Sequence, residues 1–141
     1  MIRKNFLVRK IKLMENDLIM LKPLSKYSFD ELAKQEYLYL AAERLLEKLI
    51  NRVVDINSHI IAAKGAEPAK DYGDSFKRMG ELKIIPLDFV DKILPSAGLR
   101  NRLVHEYDDL DQRQIYQAVF SALDQFPQYI EFLIELISKE N

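Results

Sequence analysis

Arg100, His105 and Tyr107 place a permanent cation, a proton carrier and a phenol within one short stretch, Arg100-Asn101-Arg102-Leu103-Val104-His105-Glu106-Tyr107. Arg stays charged at any accessible pH and offers a planar fork of donors that matches a phosphate, and His trades protons near neutrality. Cleaving a phosphodiester without a metal needs those parts. Attack by a 2′-OH calls for a base, an acid for the leaving 5′-oxygen and positive charge at the phosphorane. The same spacing also fits a structural ion pair. If the stretch is helical, Arg100 and Tyr107 share a side while His105 points roughly 140° away from Arg100. A working site then requires either that the helix end near Val104, letting His105 turn back, or that two chains contribute. The second option also supplies the second proton carrier that one chain lacks here.

An Arg followed by a polar residue, then His, any residue and Tyr resembles the Arg-x4-His-x-Tyr signature of HEPN-domain ribonucleases. In length and helical character the chain is most similar, within that superfamily, to the HepT toxins of HepT/MntA toxin–antitoxin pairs. The resemblance implies that Arg100, His105 and Tyr107 are the catalytic positions and that Asn101 fills the supporting polar slot. It also implies a homodimer, possibly a higher oligomer, in which two copies of the motif face each other across a cleft. RNA is then cleaved without a metal or other cofactor, leaving a 2′,3′-cyclic phosphate. It further implies an MntA-like nucleotidyltransferase antitoxin that transfers AMP to Tyr107. The alternative is a non-catalytic HEPN module in which the same cleft holds a nucleotide or a partner nucleotidyltransferase.

Other chemistry-bearing residues are weaker candidates. His59 falls among polar neighbours on a long helix and reads as a solvated side chain. Glu106, Asp108, Asp109 and Asp111 could be drawn as a Mg²⁺ site, but consecutive acids at a turn usually cap helices and face water; no metal is expected. Tyr37 and Tyr39 point to opposite sides of their helix, so at most one faces the core.

The 141 residues suit one domain, 1–141, with a core of its own. With 21 basic against 22 acidic side chains, the overall field does not favour nucleic acid, so any RNA site must be local or shared between chains. Residues 1–26 carry seven Lys or Arg against Glu15 and Asp17, whereas residues 106–141 carry eight Asp or Glu against Arg113 and Lys139. This asymmetry suits either two mutually attracting helix faces or separate surfaces for RNA and a protein partner. The absence of cysteine excludes disulfides, thiolate nucleophiles and cysteine-ligated zinc. Apolar runs are too short for a membrane span or a signal-peptide core, so a cytoplasmic protein is expected.

Helices must position the motif. Leu7, Ile11, Met14, Leu18 and Leu21 form one stripe, ended by Pro23. Ser28 and Glu31 make a capping box that opens a long helix. Its stripe runs through Leu38, Ala42, Leu45, Leu49, Val53, Ile56 and Ile60, broadened by Leu46, Ile50 and Val54, to a stop at Gly65. Ser28 to Lys64 as one rod would span roughly 55 Å, so it should bend, break near Asn57-Ser58 or project to another chain. Residues 65–74 read as a loop, followed by a short helix through Phe76 and Met79 that Gly80 breaks. Pro86 opens the helix that delivers the motif; Phe89, Val90, Ile93, Leu94, Ala97 and Leu103 form its buried side. Pro95 should kink or break that helix, and Gly98 should admit a close neighbour. Asp111 caps the last helix, whose stripe is Ile115, Val119, Ala122, Phe126, Ile130, Leu133 and Ile137, with a bend at Pro127. The expected fold is all-α: an antiparallel helical bundle of about four long helices plus a short one, HEPN-like.

Overall fold

The computed structural model describes residues 1–105 and 111–140, with backbone alone for 104 and 105. The chain is an all-α bundle: α1 (Lys4–Leu21), α2 (Phe29–Lys34), α3 (Glu36–Ala63), α4 (Tyr72–Glu81), α5 (Leu87–Ile93), α6 (Ser96–His105) and α7 (Gln112–Lys139). Pro23 lies in a 3-10 turn, Lys22–Lys26, that follows α1. The expected apolar stripes are the core. Leu7, Met14, Leu49, Val53, Ile56, Ile60, Ile115 and Leu133 are all fully buried. Each such side chain contributes about 1.5–3 kcal/mol relative to leaving it in water.

Several expectations need correction. The Ser28–Glu31 capping box forms, but its helix ends after one and a half turns. The chain breaks at Gln35 (φ −107°, ψ 89°) before α3 begins, not near Asn57-Ser58. Asn57 is instead completely buried: its Nδ2 donates to Ser75 Oγ at 3.0 Å, and its Oδ1 accepts from the Tyr129 hydroxyl. The loop after Gly65 (φ 71°) ends at Asp71, which caps α4 by accepting from the Asp74 N–H at 2.7 Å. Gly80 does not break α4. It lets α4 and α5 touch, since a Cβ there would lie 2.9 Å from Val90 Cγ2 and 3.1 Å from Leu87 Cδ2.

Ion pairs give the relative directions. Lys10 meets Asp55 at 2.7 Å, and Asp17, only 3% exposed, meets Lys48 at 3.1 Å and Arg52 at 3.2 Å, so α1 and α3 are antiparallel. Lys64–Glu140 at 2.8 Å and the Asn57–Tyr129 bond make α3 and α7 parallel. Of the basic residues of α1, Lys10 pairs with α3, and among the described residues no ion pair joins α1 to the acidic C-terminal segment. His59 is not simply solvated. Its Nε2 accepts from the Arg3 N–H at 3.0 Å and its ring lies 4.8 Å from that of Phe6, which ties down the N-terminus. Tyr39 is buried and Tyr37 exposed, as their opposite sides require. Among the described residues no helix is long and apolar enough to cross a membrane.

Pro95 separates α5 from α6, as its missing N–H and ring demand. α6 packs on α3 and α4 through Leu99 and Leu103. Gly98 makes no close approach: the nearest atom to a Cβ there is the Nη1 of Arg102, at 3.7 Å. α7 starts at its Asp111 cap, which accepts from the Arg113 N–H at 2.9 Å, and stays helical through Pro127.

Candidate functional site

Arg100 projects from α6 into a cleft of about 340 Å³ between the C-terminal half of α3, the loop after it and α4. Ser58, Asp71, Tyr72 and Ser75 bring polar groups to its lining, and Ile61 and Pro68 apolar ones. The Arg100 guanidinium carbon sits 5.9 Å from the centre of the Tyr72 ring, within cation–π range. Its Nε is buried and has no hydrogen-bond partner among the described residues. A half-buried guanidinium with an idle donor is a ready receptor for an anion.

Tyr72 is held from two sides. Its carbonyl accepts from Ser75 Oγ at 2.6 Å, and its hydroxyl meets Ser96 Oγ at 3.5 Å. Burial pushes the Tyr72 phenol well up, and the Ser96 bond and the Arg100 charge pull it only part of the way back. The ring is thus a neutral face for the guanidinium, not a source of phenolate. Through Ser75 the cleft wall joins Asn57 and Tyr129, so the platform under Arg100 is anchored in the centre of the bundle.

The remaining motif residues are distributed as follows. Asn101 is exposed. α6 extends to His105, one residue past Val104, and along it positions 100 and 105 are about 140° apart around the helix axis. Tyr107 lies outside the described residues, as do Glu106, Asp108 and Asp109. Among the described residues, the structure brings Arg100 together with Tyr72.

Tyr72, Ser75 and Ser96 were not among the candidates. Gly65, Pro68 and Gly73 around Tyr72 make its segment read as a loop. The missed signal was Asp71 capping a stripe of Tyr72, Phe76 and Met79 at helical spacing. Arg102 is a further residue that the motif's spacing does not single out. It stands two residues from Arg100, on nearly the opposite side of α6, and lines a second cleft of about 350 Å³. Its Nε too is buried and without a partner among the described residues.

The family model described as "Ribonuclease HepT-like" matches residues 14–133. A tRNA nuclease HepT from Aphanizomenon flos-aquae (strain 2012/KM1/D3) is 36% identical over 110 residues, covering 78% of this chain and 75% of the relative. An mRNA nuclease HepT from Shewanella oneidensis is 26% identical over 88 residues, covering 62% of this chain and 66% of that one. Among solved structures, the tri-AMPylated Shewanella oneidensis HEPN toxin in complex with its MNT antitoxin superposes with a TM-score of 0.82 at 20% identity. That match covers 92% of this chain and 97% of the toxin.

Proposed function

The chain belongs to the HepT-like ribonuclease family, and from that premise we propose that it is the toxin endoribonuclease of a toxin–antitoxin pair. It works as a homodimer through the face carrying Arg100 and His105, and RNA is its substrate. The observation that carries this reading is Arg100: half-buried, seated over a neutral Tyr72 ring and lining an open cleft. Such a group binds the phosphate and stabilises charge as the phosphorane forms. His105 of one chain takes the 2′-OH proton, and the same residue of the second chain protonates the 5′-oxygen. The product ends in a 2′,3′-cyclic phosphate, and no step uses a metal. Asn101, exposed beside Arg100, steadies the phosphate or the facing chain.

Silencing follows from the same chemistry. The Tyr107 oxygen attacks the α-phosphate of ATP held by a nucleotidyltransferase antitoxin, and pyrophosphate leaves. The tethered phosphodiester then pairs with Arg100 and occupies the space of the RNA phosphate. Each transfer adds ~329 Da to the intact mass, a covalent charge-adding modification.

Incubating the purified chain with total RNA in EDTA tests the reading. Cleavage ending in a 2′,3′-cyclic phosphate, lost in His105→Ala and in Arg100→Ala, is the expected result. A wild-type protein that binds RNA in EDTA without cutting it would leave the non-catalytic module as the better account.

A further inference from the structure

The second cleft, on the far side of α6 from Arg100, is lined differently from the first. Its floor is apolar, with Leu46 and Ile50 of α3, Leu99 of α6 and Phe126 of α7. Its rim is a row of neutral polar groups. Gln114, Gln117, Ser121 and Gln125 recur at steps of three, four and four along α7, so they form one narrow stripe beside the buried one. None of the four side chains has a hydrogen-bond partner among the described residues, and no acidic side chain lines the cleft. Arg102 closes the other wall, its Nε buried without a partner among the described residues and its Nη1 lying beside Gly98.

We infer that this cleft receives an unstacked nucleobase of the RNA strand whose phosphate lies at Arg100, and that it gives cleavage its base preference. The inference rests on the ribonuclease reading and adds a specificity determinant to it. Each part of the lining suits a base. A flat heteroaromatic ring buries its faces against Leu, Ile and Phe, while its edge mixes donors and acceptors as Gln amides do. A guanidinium both stacks on a base and donates to its edge. The volume suits one nucleoside and no more. A free phosphate is a poor occupant, because the apolar floor would have to desolvate it. Position agrees as well. A helix with its side chains is about 10–12 Å across, so one or two nucleotides of extended strand pass from the Arg100 side of α6 to the Arg102 side.

Labelled single-stranded RNA homopolymers of A, U, C and G, measured in EDTA, test this. The His105→Ala chain serves as the binding form, so cleavage cannot blur affinity. Unequal affinities spanning about tenfold are expected, because base-edge contacts discriminate on that scale. The double variant Gln117→Ala/Gln125→Ala should bring the four affinities close together with an unchanged thermal melt. Arg100→Ala should weaken all four alike. Four equal affinities before substitution, or a preference that survives the double variant, would overturn the inference. So would a free nucleoside 5′-monophosphate that binds as tightly as the homopolymer of the same base, since the cleft would then take loose nucleotides and not a strand. The two readings fail separately: wild-type cleavage indifferent to base removes this cleft alone, whereas base preference without any cleavage removes the nuclease and leaves the cleft.

Discussion

The centre of the bundle and the motif helix treat polar groups in opposite ways. Around Asn57 every buried polar side chain is matched: the amide bonds Ser75 and Tyr129, and Ser75 in turn bonds the Tyr72 carbonyl. On α6, Arg100 and Arg102 each keep a buried Nε without a partner among the described residues. Arg78 shares that feature but faces Asp74 at 3.4 Å, so the contrast belongs to α6. An unmatched buried donor costs about 1–3 kcal/mol, and a chain tolerates that cost where a ligand will relieve it. The first region holds the fold together, and the second keeps its donors unmatched. Substitutions should therefore divide cleanly, with stability lost from the one and activity from the other.

The sharpest division is expected at Arg100. Arg100→Lys replaces a bidentate fork by a point charge and should lower cleavage on the order of a hundredfold, about 3 kcal/mol in the transition state, without lowering the melt. Activity within twofold of wild type in single-turnover assays would remove Arg100 as the phosphate clamp. Next comes Asn57→Ala, which strands the Tyr129 hydroxyl in a dry interior and should cost on the order of 2–3 kcal/mol in urea unfolding. The folded fraction should still cleave at the wild-type rate; a large fall in its rate would tie the platform beneath Tyr72 to catalysis. Gly80→Ala pushes a methyl into Val90 and Leu87 and should cost about 1–2 kcal/mol. Stability equal to wild type in the same urea titration would mean that α4 and α5 can separate freely.

The smallest effect is a pH dependence at His59. Burial first, then the charges of Arg3 and the N-terminus, hold its imidazole below the ordinary histidine range. Below about pH 6.5 the unfolded chain binds a proton that the folded chain resists. The contribution is therefore whole above that pH and is lost as the pH falls through it. Melts at pH 8 and pH 5 should differ more for wild type than for His59→Gln. Equal differences would place His59 in plain solvent.

The helical stripes, the stops at Pro23, Gly65 and Pro95 and the caps at Ser28 and Asp111 were legible because each rests on a residue and its near neighbours. The break at Gln35 was not, since no Gly or Pro marks it. Asn57 misled for a related reason. A polar residue in mid-helix looks like a weak point until Tyr129, 72 positions away, supplies its partner. In the site, the residue types of the motif were readable but not the platform beneath it. Tyr72 reaches Arg100 across 28 positions, a contact that only the packing of α4 on α6 creates.

Asp17 has a consequence for how α1 finds its place. The α1 stripe is almost uniform, Leu7, Ile11, Met14 and Leu21, so hydrophobic burial alone would accept α1 displaced by one turn along α3. Asp17 would not: displaced by a turn, it keeps at most one of its two cations, Lys48 or Arg52, and a buried carboxylate stripped of part of its pairing is penalised. The triad thus works less as glue than as a key cut for one register, rejecting misaligned bundles that the apolar residues by themselves would allow.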